Sequence, residues 1–326
     1  MKIEINEKIR PFSHRSGVCC LIPGSEVSVQ VFAALLRVNG LSDMPLAITG
    51  PIKEFTVQID LEKQVLWVWG IAQEGHYRFG LQNEEGSIVL FMDRCPANGI
   101  EIGRYKAMRK DKIVLCAAKK SVAPLRMEKL FLGNHKAQDW DYVWRRMDLK
   151  EIAPALFLLG QQTPFVQEAQ GPIANLIQTQ LSLFVRVGLS DLLVPRLEDL
   201  DYQGIVPSNL GQGDPNGLLR AAYLKMRSFL LAVTFNSVQI LPDLPIDWDA
   251  GRAVCLQEES VGEFALEWSR SQMRKMIVRA LKTQSLSFCF AKPICRYRLN
   301  GVWTDNGAVV DLEEGKVYFF DRFEKH

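Results

Sequence analysis

The sequence predicts an α+β fold in which β-sandwich-like N- and C-terminal parts flank a short all-helical middle. Short alternating segments separated by turn residues occupy roughly the first 125 residues, and the same pattern returns from residue 237 onward. Between them, apolar residues recur with the 3.6-residue period of a helix. We therefore divide the chain into a β-rich part (1–125), a helical middle (126–236) and a C-terminal β-domain (237–326).

The N-terminal part contains two predicted β-hairpins and one further strand. In the first hairpin Phe55, Val57 and Ile59 alternate with polar residues, which places one face of the strand on a core. Short strands at regular spacing are typical of a sandwich. The predicted strands are 55–59, 65–69, 77–79, 87–92 and 112–116, with turns at 60–63 and 83–86.

The middle is predicted to be helical because its apolar residues form stripes. Trp140, Val143, Trp144 and Met147 fall at i, i+3, i+4 and i+7, so they share one helix face. Residues 152–159 form a second short helix, and 173–184 continue the period after a Gly-Pro start at 171–172. A Gly-, Asn- and Pro-rich loop at 207–217 precedes a last helix at 218–233.

The boundary between the helices and the C-terminal strands is marked by Pro242 and Pro245. Each proline lacks an N–H and fixes φ, so segment 238–248 cannot be helical and is predicted to be a helix-to-sheet junction. Asn300-Gly301 is the strongest hairpin signal in the chain. Strands are predicted at 264–268, 276–280, 286–290 and 317–320.

This junction also carries a resemblance to a known family. The segment Ile240-Leu-Pro-Asp-Leu-Pro245, followed by Trp248, Gly251 and then the strand 262–268, resembles the corresponding segments of (α/α)6 glycoside hydrolases of the family 95 (α-L-fucosidase) type. In that family the segment joins the catalytic barrel to a C-terminal β-domain. The resemblance in residues covers about a fifth of the chain and implies shared ancestry of the junction and the β-domain.

The helical middle departs from that family. A barrel of six helical hairpins needs twelve helices, whereas about 110 residues accommodate about four to six helices of mean length with their loops. The segments that carry the family's catalytic residues have no recognisable counterpart, so the resemblance transfers no catalytic residue. The expected function is that of a glycoside-hydrolase-like protein, a non-catalytic or remodelled relative that recognises carbohydrate. The alternative is a β-sandwich protein with a structural or protein-interaction role, and enzymatic activity stays open.

Hydrolysis of a glycosidic bond needs two carboxyl groups, about 5 Å apart for retention or about 6.5–9.5 Å apart for inversion. The candidates in the helical middle are Glu168, beside amides and an aromatic residue, and Asp199 and Asp201 in a dense acidic cluster. The alternative interpretation of all three is a solvated acidic loop or a helix cap.

The candidate sugar-binding residues are Trp303, His135 and Asp139. Trp303 lies in the predicted hairpin after Asn300-Gly301 and is the tryptophan expected to be exposed, while most other aromatic residues are interpreted as core. His135 and Asp139 are spaced i, i+4 and share a face if the helix begins early. The alternative is a helix start with Asn134 as N-cap and Trp140 as a core anchor.

Composition limits the remaining possibilities. The formal net charge of +2 gives no overall basic field, so neither nucleic acid nor an anionic membrane is expected as a partner. The seven cysteines are scattered and form no CxxC pair, so neither a metal site nor a cofactor is predicted. The N-terminus lacks the apolar core of a signal peptide, and we expect a cytoplasmic protein with carbohydrate as its possible partner.

Overall fold

The computed structural model describes residues 9–119, 131–132, 139–164, 172–196, 215–291 and 294–325. It confirms the predicted fold class: the protein is α+β, with β-rich N- and C-terminal parts and a short helical middle. Contacts divide the chain into two compact units. Within the described residues, the N-terminal unit comprises 9–119, 139–164, 172–196 and 215–223, and the C-terminal unit comprises 131–132, 224–291 and 294–325. This division follows contacts and not the order of elements, so the three-part division predicted from the sequence stays a prediction.

The N-terminal strands form one six-stranded and one four-stranded sheet, with a small separate hairpin. Their bounds are β1 (Phe12–Ser13), β2 (Val18–Leu21), β3 (Ser28–Phe32), β4 (Leu35–Val38), β5 (Met44–Pro45), β6 (Lys53–Asp60), β7 (Val65–Ala72), β8 (Gly75–Glu84), β9 (Ser87–Arg94), β10 (Ile100–Ile102), β11 (Tyr105–Ala107) and β12 (Lys112–Ala117). The six-stranded sheet has the order β1-β6-β7-β8-β9-β12, the four-stranded sheet has the order β2-β3-β4-β5, and β10 pairs with β11.

Both predicted hairpins of this part are confirmed. Strands β6 and β7 pair antiparallel from Asp60 opposite Val65, and the Asp60 carboxylate accepts a hydrogen bond of 3.0 Å from the amide N–H of Lys63 to close the turn. Strands β8 and β9 meet at Glu84 opposite Ser87, with Gly86 at a positive φ in the connecting turn. Val57, Val68 and Phe79 are paired across these strands and are all buried, so one face of the sheet packs on the core.

The helical middle holds five helices within the described residues. In chain order the elements are β13 (Phe131–Leu132), α1 (Trp140–Arg146), α2 (Leu149–Gln162), α3 (Pro172–Thr179), α4 (Leu181–Val187), β14 (Leu189–Ser190), β15 (Val194–Pro195) and α5 (Pro215–Leu230). At Gly160 of α2 a Cβ atom would lie 2.5 Å from the carbonyl oxygen of Leu219 in α5, so the two helices approach closely there. The rings of Phe157 and Tyr223 meet edge to face beside this contact, with their centroids 4.9 Å apart.

Several predicted helix boundaries are wrong. The single helix predicted at 173–184 is two helices, because Gln180 has a non-helical backbone (φ −143°, ψ 68°). The last helix ends at Leu230 rather than 233, since Leu231–Val233 pairs as a strand with Ser237–Ile240 and this pairing overrides the helical period. The predicted loop at 207–217 ends early because α5 begins at Pro215. The rest of that loop lies outside the described residues.

The C-terminal strands form a seven-stranded and a four-stranded sheet. Their bounds are β16 (Leu231–Val233), β17 (Ser237–Ile240), β18 (Ala250–Glu258), β19 (Gly262–Ser269), β20 (Gln272–Ala280), β21 (Gln284–Phe290), β22 (Ile294–Leu299), β23 (Val302–Asp305), β24 (Val309–Leu312) and β25 (Val317–Lys325). The orders are β13-β18-β19-β20-β25-β22-β23 and β16-β17-β21-β24. Phe288 of the smaller sheet packs on Phe320 of the larger one, with ring centroids 4.9 Å apart, so these two sheets share an aromatic core.

The proline segment connects two strands, β17 and β18, rather than a helix and a sheet. It is not helical, as predicted, but α5 is separated from it by the β16–β17 hairpin. Trp248 and Trp268 are both fully buried, and the Trp268 indole N–H donates a 2.7 Å hydrogen bond to the Trp248 carbonyl oxygen. The two tryptophans therefore fix the end of the proline segment to β19.

Within the described part of the chain, no helix has both the length and the apolar character required to cross a membrane.

Candidate binding surface

The outer face of the six-stranded sheet carries two tryptophans of β7. Successive side chains of a strand point to opposite faces, so Leu66 and Val68 enter the core while Trp67 and Trp69 stand together on the outer face. Both tryptophans are half-buried. The hairpin thus places a pair of indole rings on a rigid surface.

An arginine from the neighbouring strand lies against these rings. Arg78 of β8 is directly opposite Trp69 in the register, and its guanidinium carbon lies 4.1 Å from the Trp67 ring centroid and 5.7 Å from that of Trp69. At such distances the ring quadrupole attracts the cation, by about 0.5–1 kcal/mol at exposed sites. Arg94 of β9 follows Arg78 across the sheet. We call the set Gln58, Trp67, Trp69, Arg78, Phe91 and Arg94 the aromatic–basic face.

A glycine makes this arrangement possible. Gly80 of β8 lies opposite Trp67 on one side and Phe91 on the other. A Cβ atom at Gly80 would be 2.3 Å from the tip of the Phe91 ring, so the ring occupies the space that a side chain would fill. Phe91 then meets Trp67 edge to face, with centroids 5.0 Å apart. The absence of a side chain at Gly80 therefore lets Phe91 and Trp67 pack against each other on this face.

Ion pairing does little to hold Arg78 in place. Its nearest carboxylate is that of Asp93, with a closest N···O distance of 3.8 Å, and both side chains are more than one third exposed. The Arg78 Nε atom is buried, and no hydrogen-bond acceptor for it is found among the described residues. Stacking on Trp67 is therefore the main contact that orients this guanidinium, and its outer N–H groups remain available to a ligand.

Two adjoining cavities open on this face. The first, which we call the Trp69 pocket, has a volume of about 390 Å³. The second, the arginine pocket, has a volume of about 430 Å³ and shares His76 and Arg94 with the first. The polar and aromatic lining of the Trp69 pocket is Glu54, Gln58, Trp69, His76, Tyr77, Arg78 and Arg94, and the lining of the arginine pocket is His76, Arg94, Cys95, Pro96 and Arg109.

A larger cavity of about 520 Å³ lies between the turns 40–45 and 103–105 of the same unit. Its charged side chains already have partners. Asp43 pairs with Arg37 at 3.2 Å, and the Arg104 guanidinium lies 5.1 Å from the ring centroid of Tyr105. Because Asp43 is ion-paired and Arg104 donates a 2.8 Å hydrogen bond to the Tyr105 hydroxyl, this cavity is a weaker candidate than the two on the aromatic–basic face.

The Trp69 pocket is suited to binding rather than to acid–base chemistry. Of the described residues that line it, Glu54 alone carries a carboxyl group, whereas glycoside hydrolysis needs a pair. Burial raises the pKa of Tyr77 to about 12, and its hydroxyl donates a 3.0 Å hydrogen bond to the carbonyl oxygen of Ala33. Tyr77, although it also lines the pocket, is therefore buried and protonated at neutral pH, and its hydroxyl proton is engaged by the Ala33 carbonyl oxygen.

Trp303, the predicted exposed tryptophan, lies in β23 and is 43% exposed. Of the seven tryptophans it has the most open environment, as predicted. The Arg296 guanidinium lies 4.7 Å from its ring centroid, and Arg296 is itself paired with the carboxylate of Glu324 at 2.6 Å. Trp303 lines none of the three cavities described above.

Asp139 is the N-cap of α1, and its carboxylate accepts a 3.1 Å hydrogen bond from the amide N–H of Asp141. The interpretation of Asn134 as the N-cap is therefore wrong for this helix. Trp140 is buried, as expected of a core anchor. The candidates His135, Glu168, Asp199 and Asp201 lie outside the described residues. Across the described ranges no three His, Cys, Asp or Glu side chains are grouped as a metal site would require.

The sequence alone does not indicate Trp67, Trp69 and Arg78 as site residues, because the apolar run 65–69 predicts a strand of the core. A signal was present in the alternation, which puts both tryptophans on one face. The two-residue turn at 73–74 then fixes the register that brings Arg78 opposite Trp69. No known protein family model and no curated protein matches this sequence.

Proposed function

We propose that this protein is a carbohydrate-recognition module that acts without catalysis through the Trp69 pocket. One observation carries the proposal. The half-buried indole of Trp69 lines a cavity of about 390 Å³ together with an amide, a carboxylate and a guanidinium, those of Gln58, Glu54 and Arg78. This volume falls in the range of about 300–1,000 Å³ that is typical of small-molecule sites.

The chemistry of a sugar ring matches this lining. One face of a pyranose is formed by C–H groups and packs on an aromatic ring, while its edge carries hydroxyl groups. The Gln58 amide and the Arg78 guanidinium donate hydrogen bonds, and the Glu54 carboxylate accepts them. Trp69 rather than Trp67 is the stacking residue in this proposal, because Trp67 is covered by Arg78 and Phe91.

Descent from glycoside hydrolases of the family 95 type remains part of the proposal. It is supported by the residues at 240–251 and 262–268, and Glu168, Asp199 and Asp201 remain the candidates should an activity be found. The alternative is a β-sandwich protein with a structural or protein-interaction role and no carbohydrate function. Within the described residues the side chains of Gln58 and Glu54 have no hydrogen-bond or ion-pair partner, and this favours the first proposal.

We further propose that the protein acts in the cytoplasm. Six described cysteines are free thiols, among them the half-buried Cys95 beside the arginine pocket. Free thiols are the usual state of cysteine in the reducing cytoplasm. Cell fractionation followed by immunoblotting tests this location directly.

The test of the function is a glycan array probed with the full chain, followed by titration calorimetry with the best glycan. Replacing the stacking ring (Trp69→Ala) is expected to weaken binding by about tenfold or more, which is about 1.4 kcal/mol. Trp69→Phe keeps an aromatic face and is expected to lose less. Trp303→Ala is the comparison variant and is expected to bind as the unmodified protein does.

Two outcomes contradict the proposal. If no glycan binds at millimolar concentration while thermal unfolding shows a folded protein, the alternative function takes its place. If Trp303→Ala abolishes binding and Trp69→Ala does not, carbohydrate is recognised by the seven-stranded sheet and the assignment to the Trp69 pocket is wrong.

A further inference from the structure

The arginine pocket brings two arginines together, and no carboxylate is among the described residues that line it. Arg94 and Arg109 both line it and both are exposed, and His76 adds a ring nitrogen. Within the described residues, neither a hydrogen bond nor an ion pair joins Arg94, Arg109 or His76 to another side chain. No carboxyl group belongs to the described lining of this cavity.

Other arginines of the same unit are differently placed. Arg10 pairs with the buried carboxylate of Asp60 at 2.8 Å, and Arg146 makes two hydrogen bonds of 2.7 and 3.0 Å to Glu151. A guanidinium presents its donors in a planar fork that fits carboxylate, sulfate and phosphate oxygens. Two such forks in one cavity, with their donors unused, present a complementary surface to an oxyanion.

We infer that the arginine pocket binds the anionic substituent of the ligand whose ring lies in the Trp69 pocket, so that the ligand class is an acidic saccharide bearing a carboxylate, sulfate or phosphate group. The placement of a saccharide ring in the Trp69 pocket rests on the proposed function. The placement of an anionic group rests on a separate observation, the two arginines Arg94 and Arg109 in the arginine pocket. The two cavities share Arg94 and His76, which makes them neighbouring subsites for one molecule. Two cations suit one anionic group, whereas a nucleic acid needs a longer basic track.

Inorganic sulfate is the first probe, because it tests the anion subsite without any sugar. Sulfate titrated into the full chain at low ionic strength, with binding followed by NMR chemical shifts, is expected to show a saturable site. Arg94→Ala and Arg109→Ala are each expected to weaken it by about five- to tenfold, since each removes one charge-assisted contact. Arg186→Ala, which removes an exposed arginine from α4, is the matched control and is expected to change binding less than about twofold.

The second probe is a pair of oligosaccharides that differ only in one acidic group. The acidic member is expected to bind at least about fivefold more tightly, and Arg109→Ala is expected to remove this preference while it leaves the neutral member unchanged. Arg109 is the sharper variant because it lines the arginine pocket alone, whereas Arg94 lines both cavities.

The two proposals fail in different ways. Saturable sulfate binding without binding of any sugar overturns the saccharide class and the proposed function, but keeps an oxyanion subsite. Equal affinity for the acidic and neutral oligosaccharides overturns the inference and keeps the proposed function. A single-stranded oligonucleotide that binds more tightly than the acidic oligosaccharide, and that depends on Arg94 and Arg109, would falsify the saccharide assignment.

Discussion

The two units of this protein each place a tryptophan under an arginine on a sheet surface, and the two surfaces differ in what holds the arginine. On the seven-stranded sheet Arg296 covers Trp303 and is bound by Glu324, so its charge is compensated. On the six-stranded sheet Arg78 covers Trp67, and its nearest carboxylate oxygen is 3.8 Å away. An arginine over a tryptophan therefore occurs on both sheets. On the seven-stranded sheet its charge is paired with a carboxylate, whereas on the six-stranded sheet its hydrogen-bond donors are left for a ligand.

The arginines next to Arg296 and Arg78 differ in the same way. Beside Arg296, Arg298 donates two hydrogen bonds of 2.7 Å to Asp321, in the bidentate geometry that favours Arg–carboxylate pairs. The hydrogen bonds from Arg298 lower the pKa of Asp321, and the same contacts raise the pKa of Arg298. Beside Arg78, in contrast, Arg94 has no carboxylate partner among the described residues. Exposure of an aromatic ring alone is thus a poor guide to a site, because the availability of its polar neighbours decides whether a ligand gains hydrogen bonds there.

The largest change in stability is expected at Gly80, because the Phe91 ring of the aromatic–basic face occupies the space that a side chain there would fill. Gly80→Val forces the Phe91 ring out of its place and is expected to lower the free energy of unfolding by about 1–3 kcal/mol. Ala265→Val, at an outer position of β19, is the control on the other sheet and is expected to stay within about 0.5 kcal/mol. Chemical denaturation of both variants measures the difference.

A double-mutant cycle makes the cause specific. If the Phe91 ring is the obstacle, Gly80→Val costs much less in a Phe91→Ala background. Equal costs in the two backgrounds would show that the Val65 side chain, 2.9 Å from such a Cβ atom, or the strand conformation requires glycine at this position, rather than the Phe91 ring.

A smaller change in the free energy of unfolding is expected when the two arginines of the seven-stranded sheet, Arg296 and Arg298, lose their carboxylate partners. The double variant Asp321→Asn, Glu324→Gln removes the partners of Arg298 and Arg296 and keeps the shape of both side chains. Because all four side chains are partly exposed, at 29–49%, the free energy of unfolding is expected to fall by only about 0.2–1 kcal/mol. In an Arg109→Ala background, sulfate titration is expected to detect a new weak site on the seven-stranded sheet. Absence of that site would show that uncompensated arginines are insufficient without a cavity.

The smallest expected effect is a dependence of stability on pH. The pKa of Asp321 is lowered from its ordinary value of 3.8 in the folded state by the hydrogen bonds from Arg298. The stabilisation is therefore complete above pH of about 4 and is lost as the pH falls through the lowered folded-state pKa. Since the pair is exposed, the total is expected to be about a few tenths of a kcal/mol. Thermal unfolding of the protein and of Asp321→Asn between pH 2 and 6 tests this, and the two curves are expected to converge at the acidic end.

The parts of the fold that follow local rules could be predicted from the sequence. Alternation located β6 and β19, and Asn300-Gly301 located the hairpin that exposes Trp303. The break at Gln180 and the end of α5 could not, because each depends on pairing or packing with residues outside the helix. A local sequence pattern predicts which face of a strand or helix a side chain lies on. It does not predict which residue of another element packs or pairs with that side chain.

The candidate site was harder to predict for the same reason. Arg78, Arg94 and Arg109 come from β8, from the end of β9 and from the turn that follows β11, and only the sheet register and that turn bring them to one surface. The charge pattern of the sequence does not distinguish them from the paired Arg296 and Arg298, since the carboxylate partners of the latter lie more than twenty residues away in the chain. If the pairing register of β7, β8 and β9 were known from the sequence, it would place Trp69, Arg78 and Arg94 side by side.

The close contact at Gly160 restricts how this protein can diverge. Every other amino acid carries a Cβ, and at this position it would meet the backbone of α5 rather than a side chain that can rotate away. Relatives that lack glycine here must therefore hold α2 and α5 farther apart and refill the space around Phe157 and Tyr223. In a homologous sequence, the residue aligned with Gly160 thus indicates whether that protein shares the spacing of α2 and α5.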